Sequence, residues 1–186
     1  MKTGLILVDI QNDYFAGGRM ELVGMHAAGK TAGQVLTFFR NNRWPIFHIQ
    51  HISKREGATF FLPGTKGAEI HDCVGPRPNE AVIEKHFPNS FRETPLLEQL
   101  KNTGVEKVVI CGAMSHMCID ATTRAAADFG FTCTVVHDAC ATRNLDFGNK
   151  KILAQDVHAS FMAALGSAYA QVIHYGEFIA KANADG

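Results

Sequence analysis

Three residues far apart in the sequence have the types to do chemistry together: Asp9, Lys85 and Cys118. Cys118 closes the stretch Cys111-Gly112-Ala113-Met114-Ser115-His116-Met117-Cys118, which follows the apolar run Val108-Val109-Ile110 and precedes an Ala-rich segment. That order reads as a strand, a tight loop opening at Gly112, and a helix with Cys118 in its first turn. Unpaired N–H groups and the positive end of a helix stabilise a thiolate there, the form in which sulfur is a nucleophile. The same loop could point N–H groups at one place and receive an oxyanion, and those of Met114 and Cys118 are the candidates. The competing reading is an inert structural cysteine, because free Cys packs as a small hydrophobe.

Asp9 directly continues residues 3–8, an apolar run without alternation, as expected of a parallel strand covered on both faces. A carboxylate at the carboxyl end of such a strand lies where open α/β sheets build their sites. Asp13 reads instead as a turn cap ahead of Gly17-Gly18. Lys85 ends a short strand at 81–85, and a solvated strand-end charge is its ordinary alternative.

The elements that must position these residues alternate. Residues 26–40 carry apolar side chains at helical spacing, and 44–49 follow as a second strand. Periodicity then disappears from 53 to 79, a stretch with three prolines, four glycines and the pair Phe60-Phe61, which reads as a lid or binding wall. A helix at 94–100, capped by Thr94 with Pro95 at its first position, leads to a strand at 105–110. A strand at 132–136, a turn-rich stretch at 138–149, a helix at 150–165 and a strand at 170–173 complete the pattern. The expectation is one α/β domain over residues 1–186: a doubly wound, mostly parallel six-stranded sheet with helices on both faces. Its strand ends share one rim, where Asp9, Lys85 and Cys118 would meet.

Composition excludes several classes. Apolar residues make up 46% of the 186, enough for a core, and 18 basic residues balance 18 acidic ones, which gives no electrostatic case for a nucleic-acid partner. The run 5–8 is too short for a signal peptide and no stretch is long enough to span a bilayer, so a cytoplasmic protein is expected. Five cysteines without a C-x-x-C pair suggest reduced thiols, with neither a disulfide framework nor a structural zinc site.

The motifs Val8-Asp9-Ile10-Gln11-Asn12-Asp13, Val82-Ile83-Glu84-Lys85 and Cys111 to Cys118, in this order and spacing, resemble the isochorismatase-like cysteine hydrolases. That superfamily includes nicotinamidases and carbamoyl-amide hydrolases. The resemblance runs from about residue 5 to 172, with lesser matches at Pro78-Asn79-Glu80, at Ser90-Phe91 with Thr94 and Leu96, and at Thr122 to Ala126. It implies that Asp9, Lys85 and Cys118 form a catalytic triad, and that a non-proline cis peptide joins Ala113 to Met114 and turns the Met114 N–H into the oxyanion hole. It also implies a small-molecule amide substrate, no cofactor, and a homo-oligomer, dimer or tetramer.

Departures from relatives narrow the expectation. Ether-cleaving isochorismatases of this fold lack the nucleophilic cysteine, so Cys118 points to amide chemistry. Nicotinamidases carry an Asp-x-His metal pair after the second strand, where this chain reads Gln50-His51-Ile52-Ser53. His48, His51 and His71 fit no standard metal spacing, and no metal is expected. Position nominates Tyr14, Phe15, His51, Phe60, Phe61, Phe91 and His116 as pocket residues, with His137 and His158 structural. The expected function is a metal-independent, cysteine-dependent hydrolase of a small amide or carbamoyl-type C–N bond. The alternatives are a metal-dependent nicotinamidase and a non-catalytic binding or thiol-redox protein.

Overall fold

Nothing in Leu5-Ile6-Leu7-Val8 needs water, and all four side chains are buried in β1 (Lys2–Val8), the strand on which the sheet is built. In the computed structural model, which describes residues 2–184, the strand is flanked by β2 (Ile46–His51) and β4 (Val105–Ala113). Outside β2 lies β3 (Ala81–Lys85), and beyond β4 lies β5 (Thr132–Ala141). A separate antiparallel ribbon, β6 (Leu145–Phe147) with β7 (Lys150–Ile152), precedes the last strand, β8 (Ala170–Ile173). The main sheet runs β3-β2-β1-β4-β5-β8 with every neighbour parallel, so the expected six strands are present and all of them are parallel.

The order reverses direction between β1 and β4, and in open α/β sheets the crevice at such a switch point is where sites form. α1 (Met25–Asn41) turns Met25, Ala28, Ala32, Val35, Leu36 and Phe39 onto the sheet, the i, i+3, i+4 spacing of one helix face. Burying each large apolar side chain of that face stabilises the fold by roughly 1.5–3 kcal/mol. α2 (Leu96–Asn102), α3 (Asp120–Asp128) and α4 (Ala154–Ala168) supply three further crossovers, β2 and β3 being joined by the aperiodic segment between them, and α5 (Tyr175–Ala184) returns to pack Phe178 on Phe38 and Phe39 of α1.

Several boundaries differ from expectation for local reasons. Pro95 stands at the cap of α2 rather than inside it, with the Leu96 N–H donating to Thr94 Oγ1 at 3.4 Å. β4 runs three residues past Ile110, so the loop opens at Met114 and not at Gly112. Gly112 lies opposite Val8 with φ 127°, and a Cβ there would collide with the Val8 carbonyl; only glycine lets β1 and β4 approach so closely. A register slip between Ile110 and Gly112 lets β5 pair again through Cys140 and Ala141, which lengthens it well beyond Val136. Residues 150–152 belong to the ribbon, so α4 starts only at Ala154, whose N–H donates to Asn144 Oδ1 across it. α5 was not expected from the pattern at all.

The aperiodic segment after β2 is a wall strapped to the chain beyond β1. His71 N donates to the Ile10 carbonyl, Asn12 N to Glu69, and the Asn12 side chain to Lys66. Asp13 caps its own turn as expected, accepting from Arg19 N, but its second oxygen also accepts from Phe61 N at 2.6 Å and so holds the wall.

Candidate active site

The carboxyl ends of β1, β3 and β4 bring the three predicted residues together. Asp9 leaves β1 with φ 52°, a left-handed turn that Asp tolerates better than most residues and that swings its carboxylate away from the strand direction. Lys85 Nζ lies 2.8 Å from Asp9 Oδ2 and 3.3 Å from Cys118 Sγ. Both charged side chains are fully buried, and Cys118 is 4% exposed. The ammonium also donates to the Phe87 carbonyl at 3.0 Å and meets His51 Nδ1 at 2.9 Å.

Electrostatics assign the protons. Burial works to raise the Asp9 carboxyl, but the Lys85 ammonium and His51 outweigh it and hold it below the usual carboxylate range. Burial works to lower Lys85, and Asp9 with Cys118 keeps it above its ordinary value. Cys118 is pushed up, first by burial and then by the Asp9 charge, against the opposing ammonium. The resting site therefore holds a carboxylate, an ammonium and a neutral thiol, whatever stabilisation the loop offers a thiolate. Cys118 is also not in the first turn of α3. It sits in a wide π-helical turn, Ser115–Ile119, that leads into that helix.

The Ala113–Met114 peptide is cis, as the resemblance implied. The Met114 carbonyl accepts from Met117 and Ile119, passing over Cys118. The turn is pinned from outside: Ser115 Oγ is 2.8 Å from His158 Nδ1 and donates to the Ala141 carbonyl, and His116 Nδ1 is 2.6 Å from Thr142 Oγ1. His158 thus has the structural place expected of it, and His137 lies beside it with ring centroids 6.1 Å apart.

The proposed pocket divides. Tyr14, Phe60 and Phe61 form an aromatic group with centroids 4.6–6.0 Å apart, and His51 lies 5.8 Å from Phe61. The Tyr14 phenol is raised well above its usual range, by burial and then by the nearby Cys118 and Asp9 charges, so it borders the triad. Phe15 does not: its ring stacks on His71 at 3.6 Å and packs on α1 at Gly29. Phe91 is also misplaced, packed on Phe129 and Phe131 at the far end of α3 from the cysteine. His116 is turned onto Thr142 and Phe161.

Sequence reasoning missed Gln11. Its buried amide accepts from His51 N at 2.7 Å and donates to the His51 and Ala68 carbonyls at 2.9 and 2.7 Å, clamping His51 to the wall. It stands inside the motif from Val8 to Asp13, but in so polar a stretch nothing marks it off from its neighbours.

The three candidate metal histidines do not converge. His48 meets Glu80, His71 accepts from Cys73 N and stacks on Phe15, and His51 faces Lys85. Among the described residues, only Asp9, His51 and Cys118 place ligand atoms within 4.8 Å of one another. The Lys85 ammonium already stands among those three atoms, so this donor set does not fit a metal ion.

Residues 3–168 match the family model for the isochorismatase domain. The chain belongs to the isochorismatase family. An uncharacterised isochorismatase family protein of Bacillus subtilis, YddQ, is 50% identical over 172 residues, covering 92% of this chain and 96% of that protein. A crystal structure from Oleispira antarctica, of a protein classed with the isochorismatase hydrolases, superposes with a TM-score of 0.93 at 48% identity and 96% coverage of both chains. The streptothricin hydrolase of Streptomyces noursei is 30% identical over 169 residues, covering 90% of this chain and 57% of that one. This chain is accordingly an isochorismatase-family hydrolase. No helix among its described residues is long and apolar enough to cross a membrane.

Proposed function

We propose that this isochorismatase-family hydrolase cleaves the C–N bond of a small amide or carbamoyl-type substrate through a thioester on Cys118. The observation that carries the reading is one ammonium touching both a carboxylate, at 2.8 Å, and a thiol, at 3.3 Å, in a dry site. Asp9 takes the thiol proton while Lys85 follows the negative charge from oxygen to sulfur. The sulfur attacks the carbonyl carbon, and the carbonyl electron pair moves to an oxygen received by the Met114 and Cys118 N–H groups. Asp9 passes its proton to the leaving nitrogen as the C–N bond breaks. A water, deprotonated by Asp9, then attacks the thioester; the C–S bond breaks and the proton returns from Asp9 to sulfur.

The streptothricin hydrolase relative supports hydrolysis as the reaction class. Five free cysteines fit work in a reducing compartment such as the cytoplasm, and we expect a homo-oligomer with no nucleic-acid partner. Screening a panel of small amides for ammonia or amine release, with Cys118→Ser as the blank, tests the proposal. Turnover confined to the unmodified protein is expected; release that persists in Cys118→Ser sinks it.

A further inference from the structure

The Lys85 ammonium has three protons and four electron-rich atoms around it: it hydrogen-bonds His51 Nδ1 at 2.9 Å, the Phe87 carbonyl at 3.0 Å and Cys118 Sγ at 3.3 Å, and meets Asp9 Oδ2 at 2.8 Å as an ion pair outside hydrogen-bond geometry. Two of these acceptors are neutral and immobile. The Phe87 carbonyl is main chain two residues along, and the His51 backbone is clamped in both directions by Gln11. We propose that His51 is a positioning residue of the triad: by accepting one Lys85 proton at Nδ1, it leaves the ammonium a single proton for Asp9 and Cys118 to share. The inference rests on the cysteine-hydrolase reading above.

The consequence concerns the proton transfer that makes the nucleophile. With one N–H between them, oxygen and sulfur compete for it, and the ammonium tilts from one to the other as the thiol proton passes to Asp9. Both Asp9 oxygens are buried and neither has a hydrogen-bond partner, Oδ2 meeting Lys85 only as an ion pair, so the carboxylate is free to take that proton. Were His51 unable to accept, Lys85 could give Asp9 a whole proton while giving Cys118 another. The carboxylate would then be over-stabilised as an anion and a poorer base.

His51 acts on Asp9 through space, helping to hold it ionised, but makes no close hydrogen bond to it. Its Nδ1 is 3.7 Å from Asp9 Oδ2, beyond hydrogen-bond reach, so the lysine is what it holds. Accepting at Nδ1 requires the neutral ring with its proton on Nε2. At 17% exposure the His51 side chain is also the least buried of the four.

The test compares substitutions at one position. In His51→Asn the amide oxygen stands at the place of Nδ1 and keeps the acceptor; His51→Gln moves it one bond too far, and His51→Leu removes it. The first readout is the iodoacetamide alkylation rate of Cys118 at neutral pH, followed by mass spectrometry, which needs no substrate. The second is the separation of kcat from KM on any amide found to be turned over. We expect Leu and Gln to slow both alkylation and kcat by about tenfold with KM unchanged, the loss of one charge-assisted hydrogen bond, and Asn to stay within about threefold of the unmodified protein. Equal slowing in Asn and Leu, no slowing in either, or a rise in KM with kcat intact overturns the proposal. Should the Leu variant fail to melt cooperatively, the Asn–Gln pair decides alone. Persistence of amide turnover in Cys118→Ser defeats the hydrolase reading, whereas the alkylation series still decides the arrangement of the ammonium.

Discussion

The five residues of β3 join two buried clusters of charge built on opposite rules. Just before the strand, Glu80 receives Arg40 through both carboxylate oxygens at 2.7 Å, Arg77 N at 2.9 Å and His48 Nε2 at 3.0 Å, while Arg40 also donates to the Gly75 carbonyl. At the strand's end, Lys85 has four electron-rich neighbours for three protons, and neither Asp9 oxygen has a hydrogen-bond partner, Oδ2 meeting the ammonium only as an ion pair. In the first cluster both oxygens of the carboxylate hold donors and only His48 Nδ1 is left without a partner, so the charge itself is fixed in place. In the second, a proton can move without leaving anything worse satisfied. Complete hydrogen bonding makes a buried charge structural, and a small deficit makes it reactive.

The largest effect that separates the two ends is that of Cys118→Ser. We expect kcat to fall by about 10³-fold or more, with the unfolding free energy moved by under about 1 kcal/mol, because the hydroxyl nearly matches the thiol in shape. Paired measurements of turnover and urea unfolding check this; a large loss of stability would place the sulfur in the structural class.

Glu80→Gln should do the reverse. Burial acts to raise that carboxyl, but Arg40, the Arg77 N–H and His48 bring it from 4.5 to about 2, which at about 1.4 kcal/mol per pH unit corresponds to about 3 kcal/mol. The folded value lies below the unfolded one, so this stability is present above pH 4.5 and is lost as pH falls toward 2. The variant should be less stable at pH 7 by about that amount and should lack the acid-dependent part of the loss, with kcat within about threefold of the unmodified protein. Urea titrations at neutral and acid pH read both.

The pH–rate profile sharpens the contrast without mutation. Asp9 must be ionised and Lys85 protonated; the first is lowered from 3.8 and the second raised from 10.5. Both shifts widen the window that these two groups set, so neither Asp9 nor Lys85 should shape kcat wherever the fold holds and the step is chemical. A bell centred near neutrality would mean that an imidazole is titrating in the mechanism.

How much of this was legible beforehand follows the same division. The strands announce themselves because residues 4–8 and 108–110 are buried on both faces, and the strand ends carry Asp9 and Lys85 into view. What stayed hidden depends on long-range geometry. The extra length of β5 comes from a register slip, the late start of α4 from a ribbon whose strands are three residues each, and the jobs of Gln11 and Asp13 from a wall more than forty residues away. Phe15 and Phe91 read as pocket residues because adjacency in sequence says nothing about which side of a turn a ring takes. The resting thiol, too, could not be read from a loop motif, since it depends on how deeply Asp9 and Cys118 are buried together.

The smallest expected effect is the most discriminating, because it separates hydrogen-bond completeness from mere location. Ser115 lies in the catalytic turn, three residues from Cys118, yet its hydroxyl is engaged on both sides, by His158 Nδ1 at 2.8 Å and the Ala141 carbonyl at 3.3 Å. If satisfaction is what makes a polar group structural, Ser115→Ala should behave like the Glu80 cluster despite its address. The loss should be about 1–2 kcal/mol of unfolding free energy, for two neutral hydrogen bonds and a half-buried His158 left short of a partner, with kcat changed by less than about threefold. Burial already holds His158 below its ordinary value, so the ring stays neutral and brings no new charge into the turn when the hydroxyl goes. A hundredfold drop in kcat with stability intact would give the opposite answer: nearness to the sulfur, and not the count of satisfied donors and acceptors, decides which polar groups the reaction feels.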